Sequence, residues 1–245
     1  MSVTDLNELV AGVDLLCLDA GNTVIFLDHT RLSRLLGGQG WSVAPEVLVR
    51  TEGEAKLCQE KGTLLDVPWK GRDLPGAAGW GRTVGTIIQL AGVPHDAVAG
   101  VLEALWLEHV RLNLWSLVPE GFGEAIDGAR ARGVKVAIVS NSEGMLDLLF
   151  AELGVSPHID LLLDSGKVGV EKPDPRIFQK ALDTFGVGPE RALHLGDSIA
   201  TDVLGARAAG IRVALIDPYG HCEGRALDVP RVAGVVEVAR TLRAR

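Results

Sequence analysis

A chain of 245 residues, 47% of them hydrophobic, is long enough for one large α/β domain or for a core with a smaller inserted domain. Its formal net charge of -8 and pI near 5.3 argue against nucleic acid as a partner, because backbone phosphates select a basic footprint. Three widely spaced cysteines (Cys17, Cys58 and Cys222) argue against a disulfide framework or a zinc site, and no run reaches the roughly 18 apolar residues of a membrane span.

The N-terminal stretch MSVTDLNELVAG is acidic and has no long apolar run, so no signal peptide is expected, and a cytoplasmic monomer or homodimer is the expectation. The first short apolar run, Asp14–Asp19, reads as a buried strand. The next such run begins only at Val134, far too distant for a single crossover helix. The intervening chain carries helix-length segments at His29–Gly37, Pro45–Glu60, Gly79–Ala91 and Asp96–Asn113, with a Pro/Gly-rich loop or hinge over Val67–Gly81. Pro119–Arg132 then has the apolar spacing of a helix (Phe122, Ile126, Ala129) leading into a strand at Val134–Val139. Strands at Ile159–Leu163, Ala192–Leu195 and Arg212–Ile216 follow, alternating with helices at Gly144–Leu153, Pro175–Phe185 and Asp202–Gly210. Such alternation predicts βαβ units: an α/β, Rossmann-like parallel sheet core from residues 1–26 and 118–245, with residues 27–117 inserted as a helical cap.

Ligands of open parallel sheets bind beyond the carboxyl ends of the strands, and four polar clusters fall there. They are Asp19-Ala20-Gly21-Asn22-Thr23, Ser140-Asn141-Ser142, Glu171-Lys172-Pro173 and Gly196-Asp197-Ser198 through Asp202. Taken singly, each reads as a helix cap, a turn or a solvated lysine. Together they bring three carboxylates (Asp19, Asp197, Asp202), the ammonium of Lys172 and the hydroxyl of Ser140 to one edge. Close carboxylates repel unless a cation sits among them, and hard oxygen donors favour Mg²⁺.

The order of these motifs resembles the haloacid dehalogenase superfamily: Asp-x-x-x-Thr after an apolar strand, then Ser-Asn, Lys-Pro with KPDPRIF, and Gly-Asp-x-x-x-x-Asp within HLGDS and its continuation. The insertion after the first motif resembles the helical cap of the phosphoglycolate phosphatase-like, phosphonatase-like and 2-haloacid dehalogenase-like subclass. The resemblance implies Asp19 as nucleophile, Ser140 and Lys172 as catalytic partners, and Mg²⁺ on Asp19, the Gly21 carbonyl, Asp197 and Asp202, the last acting through a water or by orienting the other ligands. Asn22 and Asn141 are expected to contact a small phosphorylated substrate, and Thr23 to fasten the turn.

One position departs from the pattern. Phosphatases of this kind usually carry a second Asp two residues after the nucleophile, as general acid and base; here it is Gly21. General acid–base catalysis typically contributes ~10²–10⁴ in rate. Four readings stay open: a phosphohydrolase whose leaving group needs no proton or takes one from the cap, a metal-independent dehalogenase, a phosphonatase-like enzyme using a cap lysine (Lys56, Lys61 or Lys70), and a non-catalytic binder of phosphorylated metabolites. The retained Asp197 and Asp202 favour the first. Substrate choice is expected to lie in the cap, with His29, Arg31, Trp69, Lys70, Arg72, Trp80 and Arg82 as candidates and His29 as a substitute acid. Trp41, Trp80, Trp106 and Trp115 read more readily as cap core, and His194 and Cys17 as residues packed within the sheet.

Overall fold

The computed structural model describes residues 6–69, 71, 77–142, 144–220, 222 and 228–242. The chain opens with α1 (Leu6–Val10), β1 (Leu15–Leu18) and the short β2 (Phe26–Leu27). Four helices follow: α2 (His29–Gly37), α3 (Pro45–Lys61), α4 (Ala77–Leu90) and α5 (His95–Arg111). Next come β3 (Trp115–Leu117), α6 (Phe122–Ala131), β4 (Lys135–Ser140), α7 (Leu146–Glu152), β5 (Leu161–Asp164), α8 (Ser165–Val168) and α9 (Pro175–Phe185). The last stretch holds β6 (Ala192–Gly196), a π-helical turn at Ile199–Val203, α10 (Leu204–Ala208), β7 (Arg212–Ile216), β8 (Arg231–Val232) and α11 (Val235–Thr241). Two compact units result: Met1–Phe26 with Leu117–Pro218 and Gly224–Arg245, and Leu27–Ser116 with Tyr219–Glu223.

The first unit is built on six parallel strands in the order β5-β4-β1-β6-β7-β8. Every residue of β1 is buried, as a central strand covered on both faces requires. From β1 the chain runs outward through β4 and β5, then crosses back to β6 and continues to β7 and β8. That reversal makes β1 the switch point of the sheet, where a crevice opens. One group of helices holds α9 and α10, which pack on each other, α9 also on β1, β4 and β5 and α10 on β7. In the other group, α6 packs on β4 and α11, and α11 on α1.

Local chemistry sets where α9 begins and ends. The Asp174 side chain accepts from the Arg176 N–H, Pro175 fills the first helical position, and Gly186 closes the helix in a left-handed conformation (φ 62°). Its buried stripe, Ile177, Phe178, Ala181 and Leu182, faces the sheet. Burying the phenylalanine or isoleucine side chain alone is worth about 1.5–3 kcal/mol.

The second unit packs α2 to α5 around Leu32, Leu36, Leu48, Ile87, Leu102 and Leu105. Trp69, Trp80 and Trp106 form an aromatic cluster with centroid separations of 4.9–5.8 Å. Gly81 makes room for it: a Cβ there would lie 2.1 Å from the Trp69 ring. His109 closes the cluster by accepting at Nδ1 from the Trp80 indole (3.1 Å) and from the Leu114 N–H (3.2 Å). Burial, aided by the Arg31 charge, lowers its pKa to about 4. Among the described residues, no helix is long and apolar enough to cross a membrane.

The core helices and strands fall close to their expected positions, with one correction in the first unit. The expected helix Asp202–Gly210 starts earlier and as a π-turn, in which the N–H groups of both Asp202 and Val203 reach the Ser198 carbonyl, at 3.0 and 3.1 Å. Single π-turns cluster at functional sites, and this one carries Asp202.

Candidate active site

Strand register decides which residues share the carboxyl edge of the sheet. Leu18 is level with Ile138 of β4 and Leu195 of β6. Asp19, Ser140 and Asp197 therefore follow within two residues of one level. The Asp19 N–H donates to the Leu195 carbonyl at 2.9 Å, which ties the end of β1 to β6. Beyond Asp19 the chain turns at once: the Val24 and Ile25 N–H groups both reach the Ala20 carbonyl at 2.9 Å, and the Asn22 N–H reaches that of Ile25 at 2.7 Å. Asn22 sits at φ 53°, a left-handed conformation that asparagine tolerates. Thr23 is buried in this turn, yet its Oγ1 has no hydrogen-bond partner among the described residues, so its contribution there is the space it fills.

Lys172 is buried (3% exposed) and joins two strand ends. Its Nζ donates to Asp19 Oδ1 at 2.5 Å and to Asp202 Oδ1 at 2.6 Å. Carboxylate oxygens of Asp19, Asp197 and Asp202 all lie within 4.8 Å of one another, and all three residues are buried. Asp202 is held at both of its oxygens. Its Oδ1 also accepts from His194 Nε2 at 2.8 Å, and its Oδ2 from the Ser198 N–H at 3.0 Å. The π-turn folds Asp202 back over the end of β6, and Gly196 permits it: a Cβ there would sit 2.2 Å from the Asp202 Cγ. Gly205 likewise lets α10 approach Pro173, whose Cα would lie 3.0 Å from an added Cβ.

The charges respond to this crowding. Burial raises the Asp19 carboxyl pKa to about 6; Lys172 opposes the rise, while Asp202 and Asp197 add to it. Burial likewise works against ionised Asp202, but Lys172 and the His194 hydrogen bond overcome it and hold that carboxyl well below the usual range. Lys172 loses solvation too, yet Asp19 and Asp202 hold its ammonium above the ordinary lysine range. In β1, burial pushes the Cys17 thiol up to about 12, which leaves it unreactive. The ammonium of Lys172 thus bridges two of the three buried carboxylates, Asp19 and Asp202.

The carboxamide of Asn141, expected to touch substrate, is engaged with the backbone of Lys172: Nδ2 donates to its carbonyl at 2.9 Å and Oδ1 accepts from its N–H at 2.7 Å. Asp164, which the motifs did not single out, organises the loop after Ser140, accepting from the Gly144, Gly166 and Leu146 N–H groups at 3.0–3.2 Å. Its signal was an acidic residue at the end of an apolar strand, the feature that also marked Asp19. His194 packs within the sheet as expected, with the Phe178 ring edge-on at 4.9 Å, but it also reaches Asp202.

The cap candidates fare differently. Arg31 is buried and donates to the carbonyls of Glu108, Leu112 and Asn113 at 2.8–3.1 Å, so its guanidinium closes the end of α5. Trp69 and Trp80 belong to the aromatic cluster. His29 meets the buried Glu52 at 2.6 Å. Arg82 and Lys61 are exposed and Lys56 is half-buried. Lys70 and Arg72 lie outside the described residues.

These features bear comparison with known proteins. A family model described as a haloacid dehalogenase-like hydrolase matches residues 16–210. The mouse haloacid dehalogenase-like hydrolase domain-containing protein 3 is 37% identical over 146 residues, which cover 59% of this chain and 58% of that protein. The phosphoserine phosphatase of Thermus thermophilus is 35% identical over 166 residues, 63% of this chain and 64% of the relative. The chain thus spans less than two thirds of the curated relatives it matches. The structure of YfnB from Bacillus subtilis, a HAD-hydrolase bound to magnesium, superposes with a TM-score of 0.62 at 16% identity, over 94% of this chain and 98% of that one. At such low identity the likeness concerns the fold alone.

Proposed function

The chain belongs to the haloacid dehalogenase-like hydrolase family, and we propose that it is a Mg²⁺-dependent phosphohydrolase that cleaves small phosphorylated metabolites through an aspartyl phosphate on Asp19. The observation that carries this reading is the buried triad Asp19, Asp197 and Asp202 with Lys172 as its counter-ion. Three buried carboxylates with oxygens within 4.8 Å of one another favour a divalent cation, and the all-oxygen donor set suits Mg²⁺. Lys172 already takes one oxygen from Asp19 and one from Asp202. The residues that would hold the ion are therefore the remaining Asp19 oxygen, the Gly21 carbonyl and Asp197. Asp202 would act at a distance, since both of its oxygens accept from the chain itself. When bound, Mg²⁺ would screen the charge of the phosphoryl oxygens.

The chain's own groups divide the remaining work. An Asp19 carboxylate oxygen donates its lone pair to phosphorus as the bond to the leaving oxygen breaks, and the bonding electrons depart with that oxygen. Lys172 neutralises charge on both Asp19 and the incoming phosphoryl group. The Ser140 hydroxyl, at the same strand edge, donates to a phosphoryl oxygen. Water then hydrolyses the acyl phosphate, releasing phosphate and restoring Asp19. Because position 21 is glycine, the enzyme is suited to leaving groups stable as anions, such as enolates, phenolates or acyl oxygens. The phosphatase relatives, including one named for ribulose-1,5-bisphosphate, support small phosphorylated metabolites as the broad class, although the substrates they are named for are alkyl phosphates.

Hydrolysis of p-nitrophenyl phosphate tests this reading. Turnover is expected with Mg²⁺, with loss on chelation and in Asp19→Asn. Halide release from 2-chloropropionate in the presence of chelator, without phosphate release, would replace it with the dehalogenase reading.

A further inference from the structure

We propose that His194 is a positioning residue for the reaction: it fixes Asp202, and through Asp202 it fixes the ammonium of Lys172 against Asp19. This role rests on the phosphohydrolase reading for its kinetic consequence, but not for its geometry. His194 lies inside β6, fully buried, two residues before the end of the strand. An imidazole in the middle of a central strand costs desolvation that an aliphatic residue would avoid. Its Nε2 lies 2.8 Å from Asp202 Oδ1, the same oxygen that accepts from Lys172 at 2.6 Å. That oxygen belongs to an ionised carboxylate already accepting an ammonium proton, so Nε2 carries the hydrogen and donates. Its other nitrogen, Nδ1, has no hydrogen-bond partner among the described residues. The ring therefore spends its one polar contact on Asp202. The T-shaped contact with Phe178 holds the ring's orientation.

The geometry shows what this contact accomplishes. Lys172 ends a long, flexible side chain, and its place depends on what it is bonded to. Of its two carboxylate partners, Asp19 is the one that reacts and changes charge at each turnover, so Asp202 alone can serve as a fixed post. Asp202 is fixed by the Ser198 N–H on one oxygen and by His194 on the other. Without His194, Oδ1 would keep only the lysine, and the pair could shift together toward the crevice.

The test compares wild type with His194→Leu, His194→Asn and His194→Gln. Glutamine extends its amide to the position of Nε2 and restores the donor; asparagine is polar but too short to reach Asp202. Two readouts apply. The first is the rate at which trinitrobenzenesulfonate labels Lys172 in the metal-free protein, normalised to the exposed Lys135 and read by peptide mass spectrometry. Labelling of Lys172 should rise about tenfold in His194→Asn and His194→Leu and return to within about twofold of wild type in His194→Gln, as expected for losing one hydrogen bond to a charged group. The second is p-nitrophenyl phosphate hydrolysis with Mg²⁺, where kcat should fall about tenfold or more in the asparagine and leucine variants while KM changes less than about twofold, with recovery in glutamine. Equal labelling across the folded variants overturns the proposal. If His194→Leu fails to fold, the asparagine and glutamine pair decides. A wild type that shows the labelling pattern but no hydrolysis refutes the phosphohydrolase reading and leaves the positioning role intact.

Discussion

Asn141 and Lys172 grip each other through a closed pair of hydrogen bonds, carboxamide to backbone, 31 residues apart in sequence. The pair joins the end of β4 to the loop before α9, so the loop that presents the ammonium is braced by the strand that presents Ser140. Asn141→Ala removes both bonds, each worth about 1 kcal/mol. Turnover of an aryl phosphate should fall about tenfold while the thermal midpoint drops only a few degrees. A change in KM with unaltered kcat would instead mark Asn141 as a substrate contact.

Gly21 has room for a Cβ. A Cβ at this position meets nothing within 4 Å. Gly21→Asp should therefore fold, and it should raise the hydrolysis of alkyl phosphates, which need a protonated leaving group, relative to aryl phosphates, which do not. A relative gain of about 10²-fold is expected. Steady-state rates on both substrate types check it, and an unchanged ratio would show that another acid already serves.

Gly196 presents the opposite case. An added Cβ would lie 2.2 Å from the Asp202 Cγ and 2.6 Å from its Oδ1. Gly196→Ala should displace Asp202, cost roughly 1–3 kcal/mol of stability from overpacking, and lower turnover at the same time. Chemical denaturation paired with aryl phosphate kinetics measures both effects. Loss of stability with full activity would show that the placement of Asp202 matters less than its burial implies.

His109 makes the helical unit sensitive to acid. Its folded pKa of about 4 lies below the ordinary value of 6.5, so the unfolded chain binds the proton more readily. The associated stability, about 3 kcal/mol, is fully present above pH 6.5 and is lost progressively as the pH falls toward 4. All five tryptophans, at 41, 69, 80, 106 and 115, lie in this unit. Indole fluorescence during urea unfolding at pH 7 and pH 4.5 therefore reports on it selectively. His109→Gln should be less stable at pH 7 and show a much flatter pH dependence.

The sequence made the sheet and the edge cluster legible because both depend on short-range signals. Apolar runs mark β1, β4, β6 and β7, and Asp174-Pro175 with Gly186 marks both ends of α9. The strands it did not reveal, β2, β3 and β8, are two or three residues long, too short for any period to register. The tie between His194 and Asp202 was hidden for another reason. A lone histidine in an apolar strand has the same pattern as a core residue, and only the π-turn, which no local propensity announces, bends the chain back to meet it. The bond between the Asn141 carboxamide and the Lys172 backbone was likewise out of reach of local pattern, because the partner lies 31 residues away.

The N–H of Asp28 donates to the carbonyl of Leu114 at 2.9 Å, so the helical insert closes on itself with its two ends side by side. An insert of that kind asks little of its host: the flanking chain need only span the width of one strand pair. Such an insert can change in length or packing without the sheet being rebuilt, because its entry and exit lie together in space though 86 residues apart in sequence. Diversity of substrates across a lineage would then arise by changes in the insert while the acidic edge stays fixed.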